Sequence, residues 1–168
     1  LLSPLLNRLI RDRDELAINH GEKAVLLKIS PDLNIEQIKS VVLIAQERGI
    51  DGFIVANTSI ARENLSSINK NQTGGLSGRP LNDNSTQIIR EVYKITKGNL
   101  PIIGSGGVFN GKDAFNKISA GACMLQLYTS FIYKGPFIVK AINIELLSLM
   151  KKYNINSIED LVGKGYKI

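Results

Sequence analysis

The stretch LPIIGSGGVFNGKD, Leu100 to Asp113, decides how the rest of the chain is read. Pro101-Ile102-Ile103 is an apolar run long enough for a buried strand and too short for a helix. Gly104-Ser105-Gly106-Gly107 follows at once, and a helix starts near Gly111 to Asp113. Strand, glycine turn and helix N-terminus in that order make the geometry that binds phosphate. The turn brings backbone amides close to a ligand, and the helix dipole favours negative charge. Many α/β proteins make the same turn with no ligand, so the flanking chain has to discriminate.

Downstream, Ala114, Phe115 and Ile118 line one face of a helix over about residues 112–120, and CMLQLY (123–128) is the next strand. Gly135-Pro136 opens a long helix with Ile138, Ile142, Leu146 and Leu149 toward the core, proline being tolerated in a first turn. Ser157 starts a short final helix that stops near Gly163. Upstream, residues 84–97 form a helix with Ile88, Ile89, Val92, Tyr93 and Ile95 apolar, preceded by a polar loop from Thr58 to Asn82. Loops of that length in compact domains are usually functional. GFIVAN (52–57) and AVLLKI (24–29) read as strands. Between them Asn34 caps a helix, with Gln37 positioned for a capping box and Ile38, Val41, Val42 and Ala45 as its apolar face. Residues 1–19 place Leu5, Leu6, Leu9, Ile10 and Leu16 near helical spacing, and His20-Gly21 ends that helix.

The order is α-βα-βα-βα-βα plus a tail, which implies a parallel sheet covered by helices. A doubly wound open sheet and a (β/α)8 barrel compete. Four βα units are half of such a barrel, and the leading helix would then belong to a strand upstream of Leu1. Barrels hold phosphate after their seventh and eighth strands. If these are the last four strands, Gly104–Gly107 follows strand seven and Tyr128-Thr129 ends strand eight, where the barrel expects a phosphate; the open sheet does not explain that coincidence. The fold class is therefore α/β, the C-terminal half of a (β/α)8 barrel, with residues 1–168 as part of one domain.

Composition narrows the chemistry. The 168 residues are 43% hydrophobic and carry a net charge of +6, the excess of 21 basic over 15 acidic residues. That suits an anionic ligand. The basic residues are scattered, without the aromatic-rich stripe that stacks bases, so nucleic acid is not expected as a partner. With a single cysteine, Cys123, and a single histidine, His20, the chain cannot build an internal disulfide, a cysteine-rich zinc site or a His-pair metal site, and no metal is expected. Cys123 lies in an apolar run and reads as a small core residue. His20 sits at a helix C-terminus, where a cation suits the dipole. No apolar run reaches the length of a membrane span.

Barrel chemistry lies at the C-terminal ends of the strands. Those ends carry Lys28, Asn57-Thr58, the Gly-Ser-Gly-Gly turn and Tyr128-Thr129. A lysine inside AVLLKI must pair with an acid, such as Asp51, or face a ligand. Asn57 is either a binding amide or a turn former. Ser77-Gly78 lies in TGGLSGRPL, where Leu76 and Leu81 offer apolar anchors that a plain linker does not need.

LLKISPDL (26–33), IDGFIVANTS (50–59), TGGLSGRPL (73–81), STQIIREVY (85–93), LPIIGSGGVFNGKDAFNKISAGA (100–122) and LQLYTSFIYKGP (125–136) together resemble the C-terminal half of class 2, quinone-dependent dihydroorotate dehydrogenases. The resemblance implies an FMN-binding barrel with orotate stacked on the flavin. By position, Lys28 would contact the flavin ring. Ala56, where the family often has threonine, would pass the FMN by its backbone. Asn57 and Thr58 would bind the substrate. Ser77 and Gly78 would touch the cofactor from the long loop, and Gly106, Gly107, Tyr128 and Thr129 would surround its phosphate. The implied reaction is oxidation of dihydroorotate to orotate in pyrimidine synthesis, with a quinone reoxidising the flavin. The serine that serves such enzymes as base lies in a motif expected upstream of Leu1, so no catalytic base is assigned here and these residues alone are expected to be inactive.

Membrane contact, through N-terminal helices also outside this stretch, would place the protein peripherally on the cytoplasmic face of a bacterial inner membrane, or on the mitochondrial inner membrane. Two alternatives stay open: another FMN- or phosphate-binding barrel oxidoreductase, and a half barrel that binds ligands or a partner without catalysis.

Overall fold

The computed structural model describes residues 1–63 and 65–166. Four parallel strands lie side by side in sequence order: β1 (Leu26–Ile29), β2 (Gly52–Val55), β3 (Ile102–Ser105) and β4 (Met124–Gln126). Between them run α2 (Ile35–Glu47), α3 (Asn82–Thr96) and α4 (Gly111–Ala120). α1 (Leu2–His20) leads the chain, and α5 (Thr129–Lys134), α6 (Ile138–Lys152) and α7 (Ile158–Leu161) follow β4. A sheet whose spatial order equals its chain order, with no reversal, is the arrangement of a barrel wall rather than of a doubly wound sheet.

The register sorts the strand residues into two faces. Ile29, Val55 and Gly104 pair across β1, β2 and β3, and with Phe53 and Ile102 they are buried under the helices. The opposite face carries Lys28, Ile54, Ile103, Ser105, Met124 and Gln126 and is less covered; Met124 is 56% exposed. That second face corresponds to the interior of a closed barrel.

Two apolar clusters hold the layers together. One joins Leu6 of α1, Ile38, Val42 and Ala45 of α2, and Ile88, Ile89 and Val92 of α3 to the sheet. The other packs Ala114, Phe115 and Ile118 of α4 against Ile138, Ile142, Leu146 and Met150 of α6 and Leu161 of α7. The capping box at Asn34 and Gln37 is complete, and Asn110 and Ser157 cap α4 and α7 through their side chains.

The structure corrects several expectations. Leu5, Leu9 and Leu16 of α1 are 61%, 40% and 60% exposed, because α1 packs through Leu6, with Leu2 and Ile10 partly buried beside it, while these three leucines point outward. Cys123 is exposed rather than buried, since it enters β4, an edge of the sheet with no strand beyond it among the described residues. Gly135-Pro136 does not open the long helix. α5 ends at Lys134, Gly135 turns the chain with φ of 72°, and α6 starts at Ile138. On α6 it is Met150 that is buried, with Leu149 only partly covered.

Candidate active site

The C-terminal ends of the four strands open onto one cleft. Its lining includes Lys28 from β1, Ala56, Asn57 and Thr58 after β2, Gly106 and Gly107 after β3, and Tyr128 and Thr129 after β4. Ser77 and Gly78 reach the same cleft from the long loop. Every site residue expected from the sequence is thus in one place.

The alternative offered for Lys28, an ion pair with Asp51, does not occur. Asp51 pairs with Arg13 at 2.7 Å and accepts the Val25 amide at 2.7 Å, on the far side of the strand from the cleft. Lys28 is exposed to the cleft, and no hydrogen bond or ion pair reaches its ammonium among the described residues. Asn57 combines both roles considered for it. Its side-chain oxygen accepts the Thr58 amide at 2.9 Å, as in a turn, which leaves its NH2 as the group it offers to the cleft.

The loop over residues 58–81 is not a plain linker. Ser59 and Leu76 form an antiparallel bridge, with N–H to O distances of 3.0 and 2.7 Å. The Asp32 carboxylate accepts the Ser59 hydroxyl at 2.5 Å and the Ile60 amide at 3.0 Å. Burial pulls its pKa upward, but these hydrogen bonds outweigh that and hold it below the ordinary carboxylate value. Arg62 ties the loop's two arms by donating to the carbonyls of Ser59, Ala61 and Gly74. At the loop's end Thr129 donates to Ser77, and a short 3-10 turn over Arg79–Leu81 buries Leu81 as an anchor.

The turn after β3 presents backbone donors to the cleft. Gly106 and Gly107 have φ of 98° and 74°, which side chains other than glycine rarely adopt. A Cβ on Gly107 would come within 2.7 Å of the Asn82 backbone, so the turn sits directly on the start of α3. The backbone N–H groups of Gly106, Gly107 and Val108 have no acceptor among the described residues, although Gly107 and Val108 are buried. Unpartnered amides in a concave turn form a nest for a phosphate-sized anion.

One residue near this turn escaped the sequence reading. Lys117 of α4 is fully buried, and its ammonium donates to Asn82 O at 3.1 Å, Ser85 Oγ at 2.6 Å and Thr86 Oγ1 at 2.9 Å. Burial pushes its pKa down to about 7, partly opposed by Asp113 and Asp83. Its signal in the sequence was position: Lys117 falls three residues after Ala114 and beside Ile118, on the core face of its helix.

The family model of dihydroorotate dehydrogenase matches residues 5–150. The chain belongs to the dihydroorotate dehydrogenase family. Among curated relatives it is 43% identical over 167 residues to the mitochondrial dihydroorotate dehydrogenase (quinone) of Mus musculus, covering 99% of this chain and 42% of that protein. It is 46% identical over 149 residues to the dihydroorotate dehydrogenase (quinone) of Parvibaculum lavamentivorans, covering 88% of this chain and 43% of the relative. The crystal structure of the family member from Eimeria tenella in complex with ferulenol superposes with a TM-score of 0.90 at 35% identity, over 97% of this chain and 47% of that one. The chain thus spans less than half the length of these relatives, and its four βα units are one half of the family's barrel. Both mitochondrial and bacterial proteins occur among the relatives, and no helix among the described residues is long and apolar enough to cross a membrane.

Proposed function

We propose that residues 1–168 are the C-terminal part of a single FMN-binding (β/α)8 barrel domain in a quinone-dependent dihydroorotate dehydrogenase. That enzyme oxidises dihydroorotate to orotate in pyrimidine synthesis and passes the electrons to a quinone. The observation that carries this reading is the meeting of all four strand ends and Ser77-Gly78 on one cleft, in a chain of this family.

The residues present fit flavin mononucleotide. The Gly106-Gly107 turn offers unpartnered amides, which suits the phosphate. Tyr128 and Thr129 would close round it. Ala56, Ser77 and Gly78 would lie along the cofactor. Among the described residues Lys28 is the one ammonium in the cleft lining, and it would stabilise negative charge on the reduced ring. When bound, FMN supplies the acceptor for the hydride that leaves the substrate.

Asn57 and Thr58 would orient dihydroorotate through its polar edge, which an amide and a hydroxyl match in both donors and acceptors. Among the described residues the lining contains no histidine and no carboxylate. We assign these residues to binding, orientation and charge stabilisation; the serine base is what the resemblance to the quinone-dependent family implies, and none of these residues is given that role. The quinone and a membrane surface, bacterial inner or mitochondrial inner, belong to the proposal for the whole protein through helices outside this stretch.

Anaerobic mixing of the FMN-loaded full-length protein with dihydroorotate tests the assignment. Flavin absorbance should bleach and return on adding a quinone. A loaded flavin whose spectrum does not respond to dihydroorotate would overturn it.

A further inference from the structure

A buried ammonium needs a reason. Lys117 has no exposed surface, and the groups around its Nζ are the first turn of α3: Asn82 O, Ser85 Oγ and Thr86 Oγ1. That is the positive end of the α3 dipole, where a cation is disfavoured. Asp83 on α3 and Asp113 on α4 are the acidic groups that offset it, and neither forms an ion pair with it. Desolvation and the dipole both act against this charge, so its position is tied to something else that gains from it.

The gain is visible one hydrogen bond further on. Asn82 and Ser85, which Lys117 grips, are the residues in contact with the two glycine carbonyls of the phosphate-type turn. Asn82 Nδ2 donates to Gly107 O at 2.7 Å, and Ser85 Oγ lies 3.2 Å from Gly106 O. An ammonium has no lone pair, so Ser85 Oγ must accept from Lys117. Its single proton is then left for one of three carbonyls: Leu81 O at 2.7 Å, Asn82 O at 3.1 Å or Gly106 O at 3.2 Å. Holding the two carbonyls toward α3 turns the N–H groups of the same turn toward the cleft. The charge behind the turn also has the sign that favours an anion in front of it.

We propose that Lys117 is a positioning residue for the phosphate of the flavin: through Asn82 and Ser85 it fixes the orientation of the Gly106-Gly107 turn, and it backs the turn with positive charge. The inference rests on the FMN reading above and adds to it a residue that touches neither cofactor nor substrate.

The test compares FMN with riboflavin, which lacks the phosphate, by fluorescence titration of the full-length apoprotein, for wild type, Lys117→Met and Ser85→Ala. Lys117→Met should weaken FMN binding about tenfold or more, the effect of losing a charge-assisted hydrogen bond, with riboflavin binding within about twofold of wild type. Ser85→Ala, which leaves the lysine in place, should weaken FMN by severalfold and spare riboflavin. Unchanged FMN affinity in these variants overturns the proposal. So does an equal loss for both ligands, which would mean a general loosening of the fold. If Lys117→Met does not fold, Ser85→Ala decides by the same comparison. Wild type that binds neither flavin would overturn the FMN reading itself, and this inference with it.

Discussion

The Thr129 hydroxyl donates a 2.9 Å hydrogen bond to Ser77 Oγ, joining residues 52 apart in the chain. Beside it, Gly78 packs so closely on Thr129 that a Cβ there would lie 2.8 Å from Thr129 Cγ2, at a φ of 85°. The long loop is thereby latched to the segment after the last strand, across the mouth of the cleft.

Gly78→Ala breaks this latch twice, by contact and by backbone strain, with a cost of about 1–3 kcal/mol. Full-length protein carrying it should purify with less bound flavin and a lower Tm. Thr129→Val removes the hydrogen bond to Ser77 and the hydroxyl proposed to lie beside the phosphate, without the steric clash, and should leave Tm close to wild type while weakening flavin retention. Flavin-to-protein ratio and thermal unfolding are the measurements.

Lys28 faces the cleft with no protein partner among the described residues, so its removal should cost little stability, within about 0.5 kcal/mol. If it stabilises charge on the reduced ring, Lys28→Met should slow flavin reduction by dihydroorotate about 100-fold, the scale of losing one preorganised electrostatic contact. Stopped-flow absorbance under anaerobic conditions separates the rate from binding.

Asp32 anchors the start of the long loop by accepting from Ser59 and Ile60. Its pKa is lowered in the folded protein, so this anchoring is complete above the ordinary carboxylate value and is lost as pH falls through the depressed one. Asp32→Ala should expose residues 60–75 to protease at neutral pH. Wild type should become similarly sensitive only in acid.

Lys117 titrates in the opposite sense. Its pKa is about 7 when folded, against 10.5 as a free side chain, so the unfolded chain binds the extra proton between those values. Stability should therefore rise as pH goes from about 7 toward 10, with a slope of at most roughly 1.4 kcal/mol per pH unit, the value for one proton. Denaturant midpoints of the full-length protein across that range should show the slope, and Lys117→Met should flatten it.

The isolated 168 residues leave β1 and β4 as open edges and one face of the sheet partly bare, with Met124 56% exposed. Such edges pair readily with other chains. Light scattering should find this piece dimeric or aggregated; a stable monomer would contradict that.

Local chemistry alone determined much of this protein. The short, largely apolar strands, the Asn34 and Gln37 capping box and the Gly-Ser-Gly-Gly turn depend on neighbours a few positions away, so they are legible in the sequence, as is the set of polar residues at strand ends. Whether Lys28 met an acid or a cleft depended on Asp51, and only the packing of α1 gave Asp51 to Arg13. Cys123 lies in an apolar run, yet the edge of the sheet left it in solvent. Lys117 carries a charge that composition would assign to the surface, and the meeting of α3 and α4 buried it behind the turn. In each case the deciding partner is distant in sequence. Periodicity describes which face a side chain takes on its own element; what that face meets is settled only when the elements pack.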